Sequence, residues 1–338
     1  MISPVLDTLN RPIHDLRVSV TDRCNLRCAY CMPAEVYPED FAFQPKEALL
    51  SFEEIARFTA IAADLGVSKV RLTGGEPLLR RGLDRLVGML VAIPGIEDLA
   101  LTTNGLLLPR FAQALKDAGL HRITVSLDSL DPEVLRRMSG RAIDPGEILE
   151  GIAAAAAAGF KTIKVNTVVQ RGVNDGGIVD LARYFRGTGI ALRFIEYMDV
   201  GTMNHWKRGE VVPAREIVER IGAHFPLEAQ APNYRGEVAN RFRYMDGQGE
   251  IGVIASVTQP FCGACSRLRL TCDGQLFTCL FASTGMDVRS DLRGGEEDVA
   301  LRERVRALWT RRSDRYSEER ACVQSARRGK VEMYHIGG

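Results

Sequence analysis

Six short apolar runs, spaced roughly 30 residues apart with amphipathic stretches between them, limit how this chain can fold more than any other feature. The runs are Leu16–Val20, Lys69–Thr73, Asp98–Thr103, Arg122–Asp128, Ile163–Val169 and Ala191–Met198. The stretches between them include Phe52–Leu65, Pro109–Ala118, Ile148–Ala158 and Gly177–Phe185. Strand, helix, strand in that order is the βαβ pattern, and its repetition implies an α/β fold with a parallel sheet, open or curved toward a barrel. No sequence repeat accompanies the structural one. Beyond about residue 200 the pattern changes: 201–209 reads as a loop, 213–225 as a helix and 235–255 as turn-rich strand. A hairpin of Ser266–Thr271 and Gln275–Leu280 follows, around Asp273–Gly274. A charged helix near 297–311 then leads to a basic tail ending Gly337–Gly338. A boundary near 205 divides the chain into 1–205 and a smaller α+β part, 206–338.

Composition narrows the class of function. With 338 residues, 46% hydrophobic and 26% charged, the chain can bury a large core without staples. A net charge of +1 gives no global reason to bind nucleic acid or a membrane. No stretch approaches the ~20 apolar residues of a membrane span, and the opening residues lack the apolar core of a secretory leader. The expected location is the cytoplasm. There the eight cysteines read as metal ligands before disulfides.

Three of them follow the first strand: Cys24-x3-Cys28-x2-Cys31, with Tyr30 before the last. A loop at the carboxyl end of a parallel strand faces the site. Three thiolates can hold three corners of a cubane iron–sulfur cluster, leaving one iron open to chelate a small molecule. Structural zinc wants four ligands, and the only nearby histidine is His14. The motif resembles the radical S-adenosylmethionine (SAM) superfamily. Thr73-Gly-Gly-Glu-Pro77, after the second strand, resembles the segment through which members bind the SAM amino group, here at Gly75 and its neighbours. By the same resemblance Tyr30, Ser126 and Met198 become SAM contacts, although core packing is the commoner fate of a methionine.

A second set, Cys262-x2-Cys265-x13-Cys279, is drawn together by the hairpin, which places Cys279 opposite Leu268 or Arg269. Cys272 falls at the hairpin tip, roughly 13 Å along the strand from Leu268, and reads as a bystander. Cys322 reads as structural. Three ligands again suggest a cluster with an open iron; the alternative is a zinc knuckle completed by a distant residue.

Strand parity adds a third constraint. Arg17 with Ser19, Lys69 with Arg71, Lys164 with Asn166, and Arg267 with Arg269 each share a face, and Arg193 lies on the sixth strand. Helices outside such a sheet bury its outer face, so these cations point inward or sit at strand ends. Burying them unpaired is costly, and a polyanion such as a nucleoside triphosphate removes the cost. No Walker A sequence is present.

Together the two cysteine sets, the basic strand residues, Arg267-Leu-Arg269 and the terminal Gly-Gly resemble the GTP 3′,8-cyclase family over nearly the whole chain. That resemblance implies an incomplete (βα)6 barrel whose open side is closed by a smaller C-terminal α+β domain carrying a second cluster. It implies two [4Fe–4S] clusters and SAM as cofactors. It implies a lyase-type cyclisation of GTP in molybdenum cofactor biosynthesis, in which a 5′-deoxyadenosyl radical abstracts the ribose 3′ hydrogen and C3′ attacks guanine C8. Arg17, Lys69, Arg71, Thr102, Lys164, Arg193, Arg267 and Arg269 become GTP contacts, and Gly337–Gly338 reaches the site near Arg17. The implied partners are an electron donor such as flavodoxin or ferredoxin and a downstream cyclic pyranopterin monophosphate synthase; monomer and homodimer stay open. The competing readings are a radical SAM enzyme with an auxiliary cluster acting on a peptide, and a non-enzymatic zinc or nucleic-acid-binding module.

Overall fold

The computed structural model describes residues 4–234, 236–320 and 329–337. Six parallel strands form its centre: β1 (Asp15–Ser19), β2 (Lys69–Thr73), β3 (Asp98–Thr103), β4 (Arg122–Ser126), β5 (Ile163–Val169) and β6 (Ala191–Glu196). They pair in sequence order. Helices α1 (Phe52–Asp64), α2 (Leu83–Val91), α3 (Leu108–Asp117), α4 (Pro132–Ser139), α5 (Pro145–Ala157) and α6 (Ile178–Phe185) fill the crossovers. α1 starts at a Ser51–Glu54 capping box and α5 at an Asp144–Glu147 box, so both ends are set by local chemistry. The alternation of burial along each strand shows what the helices cover. Leu16, Val18, Val70, Leu72, Val165, Leu192 and Phe194 belong to one apolar core, while Arg17, Arg71, Asn166 and Arg193 face the other way.

The rest of the chain extends this sheet at both edges. α7 (Ala214–Gly222) precedes a meander of β7 (Leu227–Gln230), β8 (Asn240–Tyr244) and β9 (Glu250–Ile254), whose last strand lies parallel beside β6. The chain then crosses to the other edge. There β10 (Arg267–Leu270) lies parallel beside β1, followed by antiparallel β11 (Gln275–Phe277) and β12 (Met286–Asp287). The complete sheet has 12 strands in the order β12-β11-β10-β1-β2-β3-β4-β5-β6-β9-β8-β7. Inward residues of all six central strands line one cavity, so the sheet is curved into a partial barrel. Helices α8 (Arg289–Gly294), α9 (Asp298–Thr310), α10 (Tyr316–Glu319) and α11 (Met333–Ile336) complete the described chain. None of the described helices is long and apolar enough to cross a membrane.

Several sequence expectations need correction. The fourth and sixth strands end at Ser126 and Glu196, two residues early, so Met198 lies beyond its strand. The helices of 83–91 and 132–139 complete the strand–helix alternation at places where no stretch had been named. Thr271 N–H donates to Gln275 O at 2.9 Å, so the hairpin turns through three residues, with Gly274 left-handed at φ +83°. Arg269 therefore pairs with Phe277. Continuing that register carries Cys279 past Leu268 to the level of Arg267, nearer Cys265 than a two-residue turn would bring it.

A buried ionic group laces the N-terminus to this second half. Asp7 accepts from Arg11 Nε at 2.5 Å and lies 3.3 Å from Arg312 Nη1, with all three side chains essentially inaccessible. The two guanidiniums also donate to the carbonyls of Cys262 and Cys265, at 2.8 and 2.7 Å. Asp7→Ala would leave buried Arg11 without a carboxylate and Arg312 with Asp314 alone, at 3.3 Å. The expected loss is about 3–5 kcal/mol of stability, read as a lowered denaturant midpoint, together with poorer iron retention at the second cysteine set.

Candidate active site

A cavity of about 340 Å³ opens inside the curved sheet, and both cysteine sets line it. The first set stands on the loop after β1. Arg27 shapes that loop from beneath, its guanidinium donating to the carbonyls of Tyr37, Cys24 and Leu26 at 2.6, 2.8 and 2.9 Å. Cys31 N–H donates to Cys28 O at 2.9 Å, and Leu26 N–H points at Cys24 Sγ from 3.4 Å. The Leu26 amide thus favours the Cys24 thiolate, while burial pushes all three thiols of this set up, Cys24 to about 11. Neither cysteine trio has its three sulfurs within 4.8 Å of one another. A single tetrahedral zinc would need them about 3.8 Å apart. An all-thiol donor set of three, with a fourth metal position open, suits an iron–sulfur cluster.

The Thr73–Pro77 segment packs directly against that loop. Gly75 N–H donates to Thr21 O and Glu76 N–H to Arg23 O, both at 2.8 Å. A Cβ on Gly75 would lie 2.2 Å from Arg23 O, so only glycine fits. Glu76 is a brace that sequence reading passed over. Its carboxylate accepts from Leu78 N–H, Thr103 Oγ1 and Asn104 N–H at 3.0, 2.8 and 2.8 Å. Burial, opposed by those bonds, raises its pKa to about 7. Tyr30 hydroxyl donates to Asp128 Oδ2 at 2.8 Å, tying the cysteine loop to the end of β4. Burial lifts Asp128 to about 6. Ser126 and Met198 line the same end of the cavity, as does Asn166, whose buried Oδ1 has no partner.

At the other end, Cys262, Cys265 and Cys279 face inward. Arg267 donates from Nε and Nη2 to Cys265 Sγ at 3.3 and 3.1 Å while its guanidinium lies 4.9 Å from the Phe261 ring centre. Burial disfavours the Cys265 thiolate, but Arg267 and Arg312 outweigh it and draw the pKa down to about 6. Arg267 thus serves the sulfur first.

Between the two sets lies the cationic wall. Registry puts Arg269 beside Arg17 and Arg17 beside Arg71. Burial, then neighbouring cations, lowers Arg17 and Arg71 to about 9, Arg269 to about 10 and Lys164 to about 7. Arginine does not lose its proton in proteins, so for the arginines the direction reflects the cost of burying charge first and the neighbouring cations second. Arg71 meets hydroxyls in place of carboxylates, at Thr102 (2.9 Å) and Thr124 (3.1 Å). Lys69 and Arg193 are better compensated. Lys69 has Asp15 and Asp98 each at 3.7 Å and the Tyr234 hydroxyl at 2.8 Å; Arg193 has Glu237 at 3.7 Å. Lys164 does not line the cavity itself, although Arg193, Arg122 and Arg71 all act on its charge.

The C-terminal tail enters here. Arg269 donates to the Gly337 carbonyl, and a Cβ on Gly337 would lie 3.0 Å from Thr73 Cγ2 and 3.8 Å from Ser19. Glu332 holds the approach, accepting from Thr202 N–H and Oγ1 at 2.8 and 2.7 Å. Gly338 and Cys322 lie outside the described residues. Cys272 sits in the turn, buried, away from the second cysteine set. Sequence reasoning also missed Arg122, Thr124, Tyr234, Phe261 and Arg312; Thr124 could have been found by strand parity, since it pairs with Lys164.

Residues 18–185 match the family model of the Radical SAM superfamily, and residues 190–318 match Molybdenum Cofactor Synthesis C. The chain is 52% identical to the GTP 3′,8-cyclase of Acidothermus cellulolyticus, 53% to that of Xanthomonas axonopodis pv. citri and 48% to that of Staphylococcus saprophyticus, with all of both chains covered each time. Among solved structures, SuiB of Streptococcus suis bound to S-adenosylmethionine shares the fold, with a TM-score of 0.61 at 16% identity over 88% of this chain and 69% of that one. The curved six-stranded sheet, the cysteine loop after β1 and the full-length identity agree: the chain belongs to the GTP 3′,8-cyclase family of radical SAM enzymes.

Proposed function

We propose that the chain cyclises GTP by joining ribose C3′ to guanine C8, the first step of molybdenum cofactor biosynthesis. The observation that carries this reading is the cationic wall between two three-thiol sets, short of carboxylates where Arg17, Arg71 and Arg269 meet. A triphosphate supplies the missing charge, and guanidinium forks suit its oxygens. In this reading Cys24, Cys28 and Cys31 hold the radical-generating cluster, and Gly75, Tyr30, Ser126 and Met198 surround SAM. Cys262, Cys265 and Cys279 hold a second [4Fe–4S] cluster against the guanine. When bound, the first cluster and SAM supply the one-electron chemistry that removes the ribose 3′ hydrogen.

The protein's own part is position, charge and exclusion of water. Arg17, Arg71, Arg193, Arg269 and Lys69 grip the phosphates, with Thr102 orienting Arg71. Lys164 acts from behind them. Arg267 keeps Cys265 ionised, and Gly337–Gly338 close the site beside Arg17. A flavodoxin- or ferredoxin-type donor supplies electrons in the cytoplasm, and the product passes to a cyclic pyranopterin monophosphate synthase. A peptide substrate, the rival reading, brings the wall counter-charge only where it carries carboxylates, whereas a triphosphate always does.

Arg71→Ala should weaken GTP binding by at least about 30-fold, the ~2 kcal/mol or more that losing one partner of a buried charge pair costs, while uncoupled SAM cleavage persists. Equal loss of both activities would place Arg71 elsewhere.

Gly75→Ala drives a Cβ into the Arg23 carbonyl. Turnover should fall roughly 100-fold, as for a ~1 Å misplacement. Gly88→Ala, whose Cβ would meet nothing within 4 Å, is the control and should leave turnover intact.

Lys164 gives a pH signature. Its folded pKa of about 7 lies below the ordinary lysine value of 10.5, so the unfolded chain binds more protons between those values. Without GTP, stability contributed by this group rises with pH across that window. GTP draws the folded pKa back up, so binding at pH 8 should take up a proton. Calorimetry in buffers of differing ionisation enthalpy measures it, and Lys164→Met should abolish it.

A further inference from the structure

Cys272 was set aside above as belonging to neither cysteine set, and His335 has no part in the proposed chemistry. Yet the two meet. Cys272 and Asp273 occupy the β10–β11 turn, and His335 projects from α11 in the tail. Their ligand atoms all lie within 4.8 Å of one another, the only such trio among the described residues. His335 Nε2 is 3.2 Å from Asp273 Oδ1, which also accepts from Thr271 Oγ1 at 2.5 Å. Cys272 is 1% exposed.

A second observation points into the same place. Asp22, 3% exposed, uses Oδ2 to accept from Gln44 N–H at 2.7 Å, but its buried Oδ1 has no partner. Its charge bears on Cys272, a member of the trio, and on Tyr334, the chain neighbour of His335. An unpartnered buried carboxylate oxygen is costly. Beside a thiol, an imidazole and a second carboxylate, it is a ready neighbour for a cation.

We propose that Cys272, Asp273 and His335 form a divalent-cation site, separate from both cysteine trios, that pins the C-terminal tail to the β10–β11 turn. One sulfur, one nitrogen and one oxygen suit a borderline-soft ion of the zinc type, with the fourth position left to water near Asp22. Hard cations prefer all-oxygen sets and are not the occupant. The position gives the site its consequence. Two residues beyond His335, Gly337 offers its carbonyl to Arg269 on the strand that leads into the same turn. Metal bridging the turn and α11 therefore fixes the tail against the cationic wall, where the ion pair alone would hold it weakly.

The test uses the full-length protein with its iron–sulfur clusters assembled anaerobically, exposed to zinc chloride alone and then desalted. The expected result is one zinc retained per chain, with one sulfur and otherwise nitrogen and oxygen neighbours in its X-ray absorption spectrum. Cys272→Ser and His335→Gln should each weaken retention at least roughly tenfold, a loss that even an outer-shell partner commonly causes, with iron content unchanged. Zinc should also slow removal of the terminal glycines by carboxypeptidase in the unaltered protein and not in His335→Gln. If burial makes Cys272→Ser fold poorly, the part-exposed His335 variant decides alone. Failure of the unaltered protein to retain zinc, retention undiminished in His335→Gln, or a sulfur-rich zinc environment would each overturn the proposal.

Discussion

The parallel pairing of β10 with β1 is the contact on which the site depends, because it sets Arg269 beside Arg17 and, through β2, beside Arg71. Neighbouring strands lie about 4.8 Å apart. Two unit charges at about that separation repel by roughly 3 kcal/mol even at an effective dielectric of 20. The apolar face of the same strands offers no relief: Val18, Leu72 and Leu270 are fully buried in the core. Sheet registry and side-chain parity thus force the guanidiniums into one interior space. The partial barrel is stable because its outer face buries hydrocarbon, and it is chemically specific because its inner face concentrates charge.

This explains why the second half of the chain has to be interlaced with the first. A cationic interior needs its remaining walls held in place by interactions outside the cavity. Glu196, fully buried at the end of β6, accepts from Ala214, Val257 and Thr258 backbone amides at 2.7, 2.7 and 2.8 Å, so one carboxylate gathers two segments of the later chain. Asp7 performs the matching task at the other edge, beneath Cys262 and Cys265. Both carboxylates lie outside the cavity lining, so they stabilise the walls without neutralising the interior.

Much of this could be read from sequence where the interaction is local. Strand periodicity located β2, β3 and β5 to the residue, and motif spacing chose the six cysteines that line the cavity. Non-local pairing could not be read. Nothing in Arg267–Leu270 announces that it lies parallel to β1, and nothing in Glu250–Ile254 announces β6 as its neighbour. The hairpin register was misjudged because Asp273–Gly274 reads equally as a two-residue turn or as the end of a three-residue one, and Thr271 chose the latter by bonding Gln275 through both its amide and its hydroxyl. Lys69 was read correctly as inward, but parity alone could not show that Asp15 and Asp98, on the same level of adjacent strands, would share its charge.

That distinction orders the cationic wall itself. At the level of Asp15, Lys69 and Asp98, cations and carboxylates alternate across the strands, with Arg122 also paired to Asp98. One pleat further along, Arg269, Arg17 and Arg71 stand side by side with only threonine hydroxyls at Arg71 and the Gly337 carbonyl at Arg269. The lower layer is complete as protein; the upper layer is satisfied by neutral dipoles, which are weaker partners than charged ones. For the proposed triphosphate, the step from a neutralised layer to a dipole-supported layer is a sharper guide to position than the number of cations. It also explains why the tail belongs at that level, since its carbonyl offers the only kind of partner that a phosphate oxygen can outcompete.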